Sequence, residues 1–381
     1  MRALRELTAS RVEQSGVLTE KEFVYVDISS IDIERKRIVD PKRLPSSEAP
    51  SRAKQRLRKG DVLVSMTRPN RNAVAIVPAE LDGAIGSTGF HVLRASDEVD
   101  PRWIFNAVQT KAFIAAMEGL VQGALYPAVR PKDIQSYEIP VPPLTEQRAA
   151  VAEIEKQFSR LDEAVANLKR VKANLQRYAR ATVCAMTLSD SFKQKQSGTL
   201  NDFTLSLDNM RKPVNKKERA KRLGSVPYLG ANGRTGWIDK ALFDEELVLV
   251  VEDETFVGRQ TPFSYYFAGE CWVNNHTHVL RAKKSCILPK YLNLALSYYP
   301  FIPLTTGSTG RRKLTKRALM SAPLTIPSLE EQNEIIAEVD RRLSLVREVE
   351  GQADANLKRA ERMREAILKT VFAPKDICSP P

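Results

Sequence analysis

The residues of this chain that could perform metal or acid–base chemistry are few and scattered. His276 and His278 lie two positions apart, with Cys271 and Cys286 nearby, and this combination could hold zinc. However, His278 has an equivalent in His91, which has no cysteine near it. Histidines at the start of a strand, oriented by hydrogen bonds, explain both positions. We therefore expect no metal site.

Other signatures of catalysis are incomplete. Residues 252–254 (Glu-Asp-Glu) could bind Mg²⁺, but acidic residues at a strand end are more often solvated, or accept from cytosine amino groups. Residues 141–144 (Val-Pro-Pro-Leu) are not the Asn/Asp-Pro-Pro-aromatic motif that an adenine methyltransferase needs, and no lysine follows a glycine-rich loop. No pair of nucleophile and base can be named. We predict that the chain is not an enzyme and binds no cofactor itself.

Positive charge is the strongest chemical signal in the sequence. The 381 residues carry a formal net charge of +13, and the pI is near 9.5. The excess is local: residues 35–59 hold ten Lys/Arg against two acids, residues 211–222 seven against one, and residues 311–317 five against none. Any single run could be a solvated surface, but three runs favour a nucleic-acid partner.

Polar and cationic side chains on predicted loops are the candidate DNA contacts. In the first half, residues 68–72 (Arg-Pro-Asn-Arg-Asn) supply two guanidinium groups suited to guanine and two amides suited to adenine, although a plain surface turn has the same composition. Residues 54–56 suit phosphate contacts, or a solvated helix face. In the second half, residues 232–235 could equally be a hairpin turn, and residues 258–261 form another candidate loop.

Two further segments, 123–130 and 307–314, occupy equivalent positions in the two halves. The second combines flexible glycines with three cations, as expected of a loop pressed against a nucleic-acid backbone. Each assignment is weak alone, and the clustering in both halves carries the weight. The predicted DNA contacts are Lys54, Gln55, Arg56, Arg68, Asn70, Arg71, Asn72, Tyr126, Arg130, Asn232, Arg234, Thr235, Arg259, Gln260, Ser308, Thr309, Arg311, Arg312 and Lys313.

These candidates lie on two copies of one unit. The pentapeptide His-Val-Leu-Arg-Ala occurs at 91–95 and again at 278–282. The pattern Pro-x-Leu-x-Glu-Gln occurs at 142–147 and at 327–332, each time before a long helical stretch. Short β-like runs and at least one helix recur in the same order in both copies. The sequence therefore predicts two mixed α/β (α+β) globular domains, each followed by a long helix, with a pseudo-twofold internal repeat.

The two long helices carry a narrow apolar stripe at the heptad period. Thr145 and Ser328 fit as their N-caps. Each helix has about 40 residues and a length of about 60 Å, and such a stripe is stable only when it is paired. The predicted coiled-coil interface comprises Val151, Ile154, Phe158, Leu161, Val165, Leu168, Leu175, Ile336, Val339, Leu343, Val346, Leu357 and Ile367, and the stripe also includes Tyr178.

The direction of pairing follows from charge. Both helices begin with acidic residues and become basic towards their ends. Antiparallel pairing sets each basic end against an acidic start, whereas parallel pairing would oppose like charges. We predict an antiparallel pair that holds the globular halves at opposite ends. The expected domains are residues 1–143, a helix at 144–188, residues 189–327, a second helix at 328–373 and a tail at 374–381.

Over nearly its whole length the chain resembles the specificity subunit of a Type I restriction–modification enzyme. The most specific marks are residues 139–147 (Ile-Pro-Val-Pro-Pro-Leu-Thr-Glu-Gln) and 326–332 (Ile-Pro-Ser-Leu-Glu-Glu-Gln), and residues 59–69 and 274–280 support them. The stretch before Phe23 is short for such a domain. This departure predicts an atypical first strand, or one that the segment after Pro374 supplies.

The resemblance implies a non-catalytic subunit in which each globular half is a target recognition domain for one part of a split double-stranded DNA sequence. It implies that the helices set the spacing and dock two methyltransferase subunits, and that motor-nuclease subunits can join. S-adenosylmethionine, Mg and ATP are then expected on those partner subunits. Because the candidate loops differ between the halves, we expect the DNA target to be bipartite and asymmetric.

Two other classes of function remain open at this point. One is a coiled-coil scaffold whose globular ends bind proteins, and the other is a stand-alone nuclease. Salt-sensitive DNA binding would favour DNA recognition over the scaffold. The sequence contains no apolar run of membrane-spanning length and no signal-peptide core, and its four cysteines form no CxxC pair, so we expect a cytoplasmic protein with free thiols.

Overall fold

The structure of the chain, a computed structural model, describes residues 1–9, 11–16, 20–121, 127–188, 192–254, 256–307 and 312–373. It divides into two compact units, one formed by residues 1–168 with 355–381 and the other by residues 169–354. Each unit contains one globular half and a part of both long helices. Helices and strands are mixed in both halves, so the predicted fold class is confirmed. Among the described helices, none is both long and apolar enough to span a bilayer.

The first globular half is built from short strands and short helices, and it leads into the first long helix. In chain order its elements are β1 (Arg2–Ala3), α1 (Leu4–Leu7), β2 (Glu22–Val26), β3 (Ile31–Asp32), β4 (Arg37–Ile38), β5 (Lys42–Pro45), β6 (Ala53–Arg56), β7 (Val62–Ser65), β8 (Val74–Ile76), β9 (Ile85–Ser87), β10 (Phe90–Leu93), α2 (Pro101–Ala107), α3 (Lys111–Gly119), α4 (Pro131–Gln135), β11 (Glu138–Ile139) and α5 (Leu144–Thr187). The strands pair in the orders β10-β7-β8, β5-β2-β9-β6, β3-β4 and β1-β11.

The second half repeats this arrangement with longer strands. Its elements are β12 (Lys195–Thr199), α6 (Leu200–Phe203), β13 (Thr204–Ser206), α7 (Lys216–Arg219), β14 (Val226–Gly230), β15 (Gly233–Ile238), β16 (Phe243–Val251), β17 (Asp253–Glu254), β18 (Ser264–Val273), β19 (Thr277–Ala282), α8 (Pro289–Ser297), β20 (Arg312–Lys313), α9 (Lys316–Met320), β21 (Pro323–Pro327) and the second long helix α10 (Leu329–Phe372). The strand orders are β13-β19-β16-β18-β14-β15, β12-β21 and β17-β20.

The central strand of each half is buried on both faces because its side chains alternate between two cores. In β7, Val62 and Val64 belong to one hydrophobic cluster and Leu63 to another. In β16, Val248 and Leu249 are divided between two clusters in the same way. The antiparallel triplets β10-β7-β8 and β19-β16-β18 are therefore equivalent, and they carry the two copies of the repeated pentapeptide.

The first strand of each half pairs with the strand that leads into the long helix. β1 pairs with β11 over two residues, whereas its equivalent β12 pairs with β21 over five. The expectation of an atypical first strand is therefore met, and it is the N-terminal residues that supply it. The tail at 374–381, which was the alternative source, lies outside the described residues.

The repeated Glu-Gln motif is explained by its glutamine. Gln147 and Gln332 are both fully buried. Gln147 accepts from the Asp100 N–H at 2.9 Å and donates to the carbonyls of Glu98 and Pro142 at 3.2 and 2.8 Å. Each long helix is thereby tied to the N-cap residue of the first helix that follows the pentapeptide.

The second glutamine makes the same set of contacts. Gln332 accepts from the Leu288 N–H at 2.8 Å and donates to the carbonyls of Cys286 and Pro327 at 2.8 and 2.9 Å. Leu288 is the N-cap of α8, as Asp100 is of α2. The internal repeat therefore extends to individual buried hydrogen bonds.

The N-caps of the two long helices differ. Ser328 caps α10 as predicted, because its Oγ accepts from the Glu331 N–H at 3.3 Å. The prediction for Thr145 is wrong: α5 already begins at Leu144, and the carbonyl of Pro143 accepts from the Gln147 N–H at 3.0 Å. Proline stands here in the position that serine holds in the second copy.

Within each unit the two helix segments run antiparallel, as predicted. In the first unit, Val151 and Ile154 near the start of α5 share a core with Leu368 and Phe372 near the end of α10. The guanidinium of Arg364 also lies 4.1 Å above the Phe158 ring.

In the second unit, residues near the end of α5 meet the first half of α10. Val183 packs in one core with Ile335 and Val339. Nearer the middle of the helices, Lys172 Nζ lies 2.5 Å from Asp354 Oδ1.

Burial along the helices follows the predicted stripe with small shifts. Val151, Ile154, Val339 and Val346 are buried, and the other nine predicted interface residues are half-buried. Tyr178 is 48% exposed, so its place in the stripe was wrong. Because an α-helix has 3.6 residues per turn, the buried face drifts off a strict heptad, and this drift explains why Ile335 and Leu368 are more buried than their predicted neighbours.

Candidate nucleic-acid interface

In the first half, the loop after β7 is the centre of the candidate interface. The Arg68 N–H donates to the carbonyl of Pro127 at 2.8 Å, and the Val129 N–H donates to the carbonyl of Met66 at 2.9 Å. The predicted segments 68–72 and 127–130 therefore lie side by side. Tyr126, another predicted contact, lies outside the described residues.

The backbone of this loop is unusual. Arg68 and Asn72 both have left-handed conformations, with φ of 50° and 45°, and they flank a short 3-10 turn at Pro69–Arg71. Such conformations are uncommon for residues other than glycine, and they persist only where the surroundings impose them. The turn presents Arg68, Asn70 and Arg71 to solvent, and none of these side chains has an ion pair or hydrogen bond within the described residues.

Asn72 does not meet the prediction for a base contact. It is 7% exposed, and its Nδ2 donates to the carbonyl of Val108 at 2.8 Å. Its Oδ1 accepts from Lys36 Nζ at 3.0 Å. The carboxamide is therefore used inside the protein, where it fixes the end of the loop, and it is not available to a base.

Lys36 holds the end of this loop, a role that the sequence did not indicate. Its Nζ also donates to the backbone carbonyl of Asn72 at 2.5 Å. Burial, and to a smaller extent the charge of Arg364, lowers the pKa of Lys36 to about 8. The only sequence signal was its place in the basic run 35–59, and that run predicted an exposed cation.

The predicted phosphate contacts at 54–56 lie on β6, so the alternative of a helix face is wrong. Lys54 is exposed. Gln55 Nε2 donates to the carbonyls of Ser87 and Phe90 at 2.7 and 3.0 Å, and Arg56 Nε lies 3.7 Å from a carboxylate oxygen of Glu13. Lys54 is thus the most available of the three.

Arg130 is exposed but paired. Its Nε and Nη2 lie 3.1 and 3.2 Å from the carboxylate of Asp133, across the start of α4. The pairing holds the pKa of Asp133 below its usual range. Arg130 could therefore contact DNA only while it shares its guanidinium with Asp133, or after that pair breaks.

The second half has an equivalent pair of segments. β17 and β20 form an antiparallel ladder, and the Leu314 N–H donates to the carbonyl of Glu252 at 2.8 Å, as Val129 does to Met66 in the first half. Arg312 Nε donates to the Thr305 hydroxyl at 2.6 Å, and Lys313 Nζ lies 3.3 Å from Glu252. The predicted contacts Ser308, Thr309 and Arg311 lie outside the described residues.

The hairpin between β14 and β15 lies next to the loop that contains Gly258. Arg259 Nη2 donates to Asn232 Oδ1 at 2.7 Å and to the carbonyl of Pro262 at 3.0 Å. The guanidinium of Arg234 lies 4.3 Å above the half-exposed ring of Trp237. The structure therefore brings the predicted groups 232–235 and 258–261 together, which spacing alone did not reveal.

Two members of this group are held by local hydrogen bonds. The hydroxyl of Thr235 donates to the carbonyl of Tyr228 at 3.3 Å, and Gln260 Nε2 donates to the carbonyl of Gly258 at 3.1 Å. Asn232, Arg234, Thr235 and Gln260 are all exposed. They form a polar surface with the aromatic ring of Trp237 beside it.

Of the acidic residues that follow β16, Glu252 is buried, contrary to the prediction of a solvated side chain, and Asp253 is half-buried and paired. Glu252 is 9% exposed and lies 2.6 Å from Arg211 Nη1. Asp253 Oδ1 lies 2.7 Å from His276 Nδ1. Asp208 and Arg211 complete this cluster. Their partners lie about 40 to 70 positions away in the chain, and no sequence pattern linked them.

The two repeat-related histidines differ. Both ring nitrogens of His278 have hydrogen-bond partners, whereas Nε2 of the largely buried His91 has none within the described residues. The expectation that hydrogen bonds orient both was wrong for His91. The described residues contain no group of three or more His, Cys, Asp or Glu side chains placed to hold a metal ion.

This duplicated frame with variable polar loops matches a known protein family. Residues 39–177 and 193–350 each match the model of the type I restriction modification DNA specificity domain. The two matches cover more than half of the chain, which therefore belongs to this family.

Individual relatives agree with the family match. The chain is 32% identical over 149 residues to a putative type I restriction enzyme specificity subunit of Haemophilus influenzae, covering 39% of this chain and 37% of that protein. It is 21% identical over 311 residues to the StySPI specificity subunit of Salmonella potsdam, covering 74% and 66%. The chain thus spans less than two thirds of the length of these curated relatives.

Two solved structures have a similar fold. A chain from a study of the complex assembly and conformational transition of the type I R-M system aligns with a TM-score of 0.80 and 25% identity, covering 97% of this chain and 96% of that one. The HsdS subunit of Thermoanaerobacter tengcongensis aligns with a TM-score of 0.55 and 24% identity, covering 97% and 95%.

Proposed function

We propose that this chain is the DNA-sequence-recognition subunit of a type I restriction–modification complex, in which each globular half recognises one half of a bipartite, asymmetric target. The observation that carries the proposal is the pair of equivalent loops. In both halves, the chain leaving the central strand pairs with a second segment, and cations stand on or beside this pair. The frame is the same in both halves and the exposed side chains differ.

In the first half, the 3-10 turn at Pro69–Arg71 is the proposed base-recognition element. Arg68 and Arg71 are free to make bidentate contacts with the O6 and N7 of guanine, and Asn70 with the N6 and N7 of adenine. Lys54 is the proposed phosphate contact. Hydrogen bonds hold both ends of the turn, from the Arg68 N–H to Pro127 and from Asn72 Nδ2 to Val108. A turn held in this way favours recognition, because less entropy is lost on binding.

In the second half, the surface formed by residues 232–235 and 258–261 is the proposed counterpart. Arg234 and Gln260 are its exposed donors, and Arg259 bridges the two segments. Arg312 and Lys313 on β20 add positive charge, which favours contact with the phosphate backbone. Because these side chains differ from those of the first half, the two half-sites are expected to differ in sequence.

Catalysis is assigned to partner subunits in this proposal. The paired helices set the spacing between the half-sites and dock two methyltransferase subunits, which carry S-adenosylmethionine, and motor-nuclease subunits supply ATP- and Mg-dependent cleavage. Apolar side chains on the helix surface of the second unit support the docking. Val171, Tyr178, Leu345 and Val349 are each at least 39% exposed.

The experiment is a salt titration of DNA binding by the chain assembled with its methyltransferase subunits. Binding should fall steeply with salt, and Arg71→Ala should weaken binding to the target by about 1–3 kcal/mol. Arg5→Ala, which removes the same charge from exposed α1, serves as the matched control and should have little effect. Salt-insensitive or absent binding would support the protein-binding scaffold instead. Metal-dependent cleavage by the purified chain would show an enzyme.

A further inference from the structure

A buried histidine behind the basic strand β20 has acceptors at both of its ring nitrogens. His278 is 1% exposed. Its Nδ1 lies 2.6 Å from Asp208 Oδ2, and its Nε2 lies 2.7 Å from the carbonyl oxygen of Leu314. A carbonyl oxygen can only accept a hydrogen bond, and so can an ionised carboxylate. If Asp208 is ionised, each ring nitrogen must carry a hydrogen.

The surroundings keep Asp208 ionised. Burial opposes the charge of this carboxyl group, but the hydrogen bond and charge of His278, together with the charge of Arg211, hold its pKa below the usual value. Glu252 adds a second carboxylate oxygen 4.0 Å from His278 Nδ1, and it is itself paired with Arg211 and Lys313. Two carboxylates thus face the ring on the side of Nδ1.

We propose that His278 is a buried imidazolium that positions the basic strand β20, and with it Arg312 and Lys313, for contact with the second half-site. This inference rests on the proposed DNA-recognition function. His278 links β19 to the residue that follows β20, while Asp208 holds the opposite side of the ring. Without one ring hydrogen, either the Leu314 carbonyl or the Asp208 carboxylate would face an unprotonated nitrogen. A buried acceptor left unpaired in this way weakens the attachment of β20.

The equivalent histidine of the first half shows that the shared frame does not require this arrangement. His91 has no partner at Nε2 within the described residues, and burial lowers its pKa to about 4. Met66 stands at the position of Glu252, since each accepts from the opposite segment through its backbone carbonyl. The same repeated pentapeptide therefore contains a histidine with partners at both ring nitrogens in one half and a histidine without a described partner at Nε2 in the other.

The protonation state can be measured without DNA. The full chain labelled with ¹⁵N-histidine has three rings to assign, each by its loss in the corresponding His→Asn variant. Near pH 7.5, the proposal predicts that both ring nitrogens of His278 have the chemical shifts of protonated nitrogens, whereas His91 has those of a neutral ring. A neutral His278 ring would overturn the proposal even if the chain recognises DNA as proposed.

The positioning role is tested by the sequence discrimination of the chain in complex with its methyltransferase subunits. Methylation is compared on the target duplex and on duplexes with one base pair changed in either half-site. His278→Asn should reduce discrimination at the second half-site about tenfold, which is the range of a single mismatched base pair, and leave the first unchanged. Asp208→Asn, which removes the negative charge and keeps the side-chain shape, should act in the same direction.

Controls separate this effect from misfolding and from failure of the proposed function. Asp244→Asn removes the same charge as Asp208→Asn from an exposed position at the start of β16, and it should leave both half-sites unchanged. If His278→Asn does not fold, Asp208→Asn decides the question, with folding checked by circular dichroism. Wild-type discrimination in a folded variant would refute the positioning role. Absence of discrimination in the wild type would instead refute the proposed function, while the ¹⁵N spectrum still reports the charge of His278.

Discussion

The two globular halves of this molecule agree in their buried frame and disagree where they face solvent. Gln147 and Gln332 make the same three hydrogen bonds, and the strand triplets β10-β7-β8 and β19-β16-β18 have the same order. The loops after the central strands have similar backbone pairing but different side-chain contacts. One is held by an amide and a lysine, and the other by a network of ion pairs. The two copies therefore share the buried contacts that stabilise each half and differ in the side chains that each half exposes to solvent.

The fourth residue of the repeated pentapeptide shows the same division in one pair of arginines. Arg94 makes a two-point contact with Asp61, at 2.8 and 2.7 Å, and Asp61 is 1% exposed. Arg281 pairs with Glu245 in a more solvated setting, with 44% and 25% of the two side chains exposed. Identical arginines at equivalent positions thus form ion pairs that differ in burial.

The largest predicted difference follows from these arginines. Arg94→Met leaves the buried carboxylate of Asp61 without its partner and should lower the free energy of unfolding by about 4 kcal/mol. Arg281→Met should lower it by about 1 kcal/mol or less, because the pair is partly hydrated. Urea unfolding of the two variants measures both values. Equal losses would contradict the unequal burial of the two pairs.

The glutamines test the agreement between the halves. Gln147→Leu and Gln332→Leu each leave three backbone groups around a fully buried side chain without a partner, so each should destabilise its own unit by about 3 kcal/mol. Hydrogen exchange, followed separately at α2 and α8, reports the two effects. Gln157→Ala, which removes only a hydrogen bond to Glu153 on the helix surface, is the control and should change little. If only one of the two Gln→Leu variants strongly destabilises its unit, the two glutamines are not equivalent in the two halves.

Low pH should weaken the first half through His91. Burial lowers the pKa of His91 from 6.5 to about 4, so the unfolded chain binds a proton that the folded chain does not between these values. Stability from this group is complete above pH 6.5 and decreases as the pH falls, by about 2 kcal/mol at pH 5. His91→Phe should remove this dependence in a pH series of urea unfolding. An unchanged pH dependence in the variant would show that other groups cause it.

A change of similar size is expected at the left-handed loop residue of the first half. Asn72→Ala loses a buried hydrogen bond to Val108 and a partly buried one from Lys36, and it keeps a strained φ, so it should destabilise the protein by about 2 kcal/mol. Asn72→Gly should cost less, because glycine tolerates φ of 45°. The second half already uses glycine for this purpose, at Gly258 with φ of 74°. If alanine and glycine have the same effect in thermal unfolding, backbone strain contributes nothing at this position.

Much of the architecture could be predicted from sequence because it depends on periodicity and repetition. The heptad stripe indicated paired helices, and the opposing charge of the helix ends indicated their antiparallel direction. The duplicated Pro-x-Leu-x-Glu-Gln motif located both helix starts. Its glutamine could not be explained from sequence, since its partners lie almost 50 residues away in the chain.

The candidate site was predicted less completely, because loop composition does not show which side chains fold inward. Asn72 and Gln55 had the right chemistry for DNA, but their amides are used by the protein. Lys36 looked like surface charge and is half-buried, with its ammonium group bonded to Asn72. Glu252 looked solvated and is part of an ion-pair network. In each case a tertiary contact between distant segments decided the outcome, and no local pattern records such a contact.

The most direct test of the account is a map of the adenines methylated in a host that carries the complete complex, before and after residues 1–142 are replaced by the equivalent domain of another specificity subunit. We predict a bipartite motif in which one half changes while the other half and the spacer length stay the same. A motif in which both halves change, or neither does, would contradict the assignment of one half-site to each globular half.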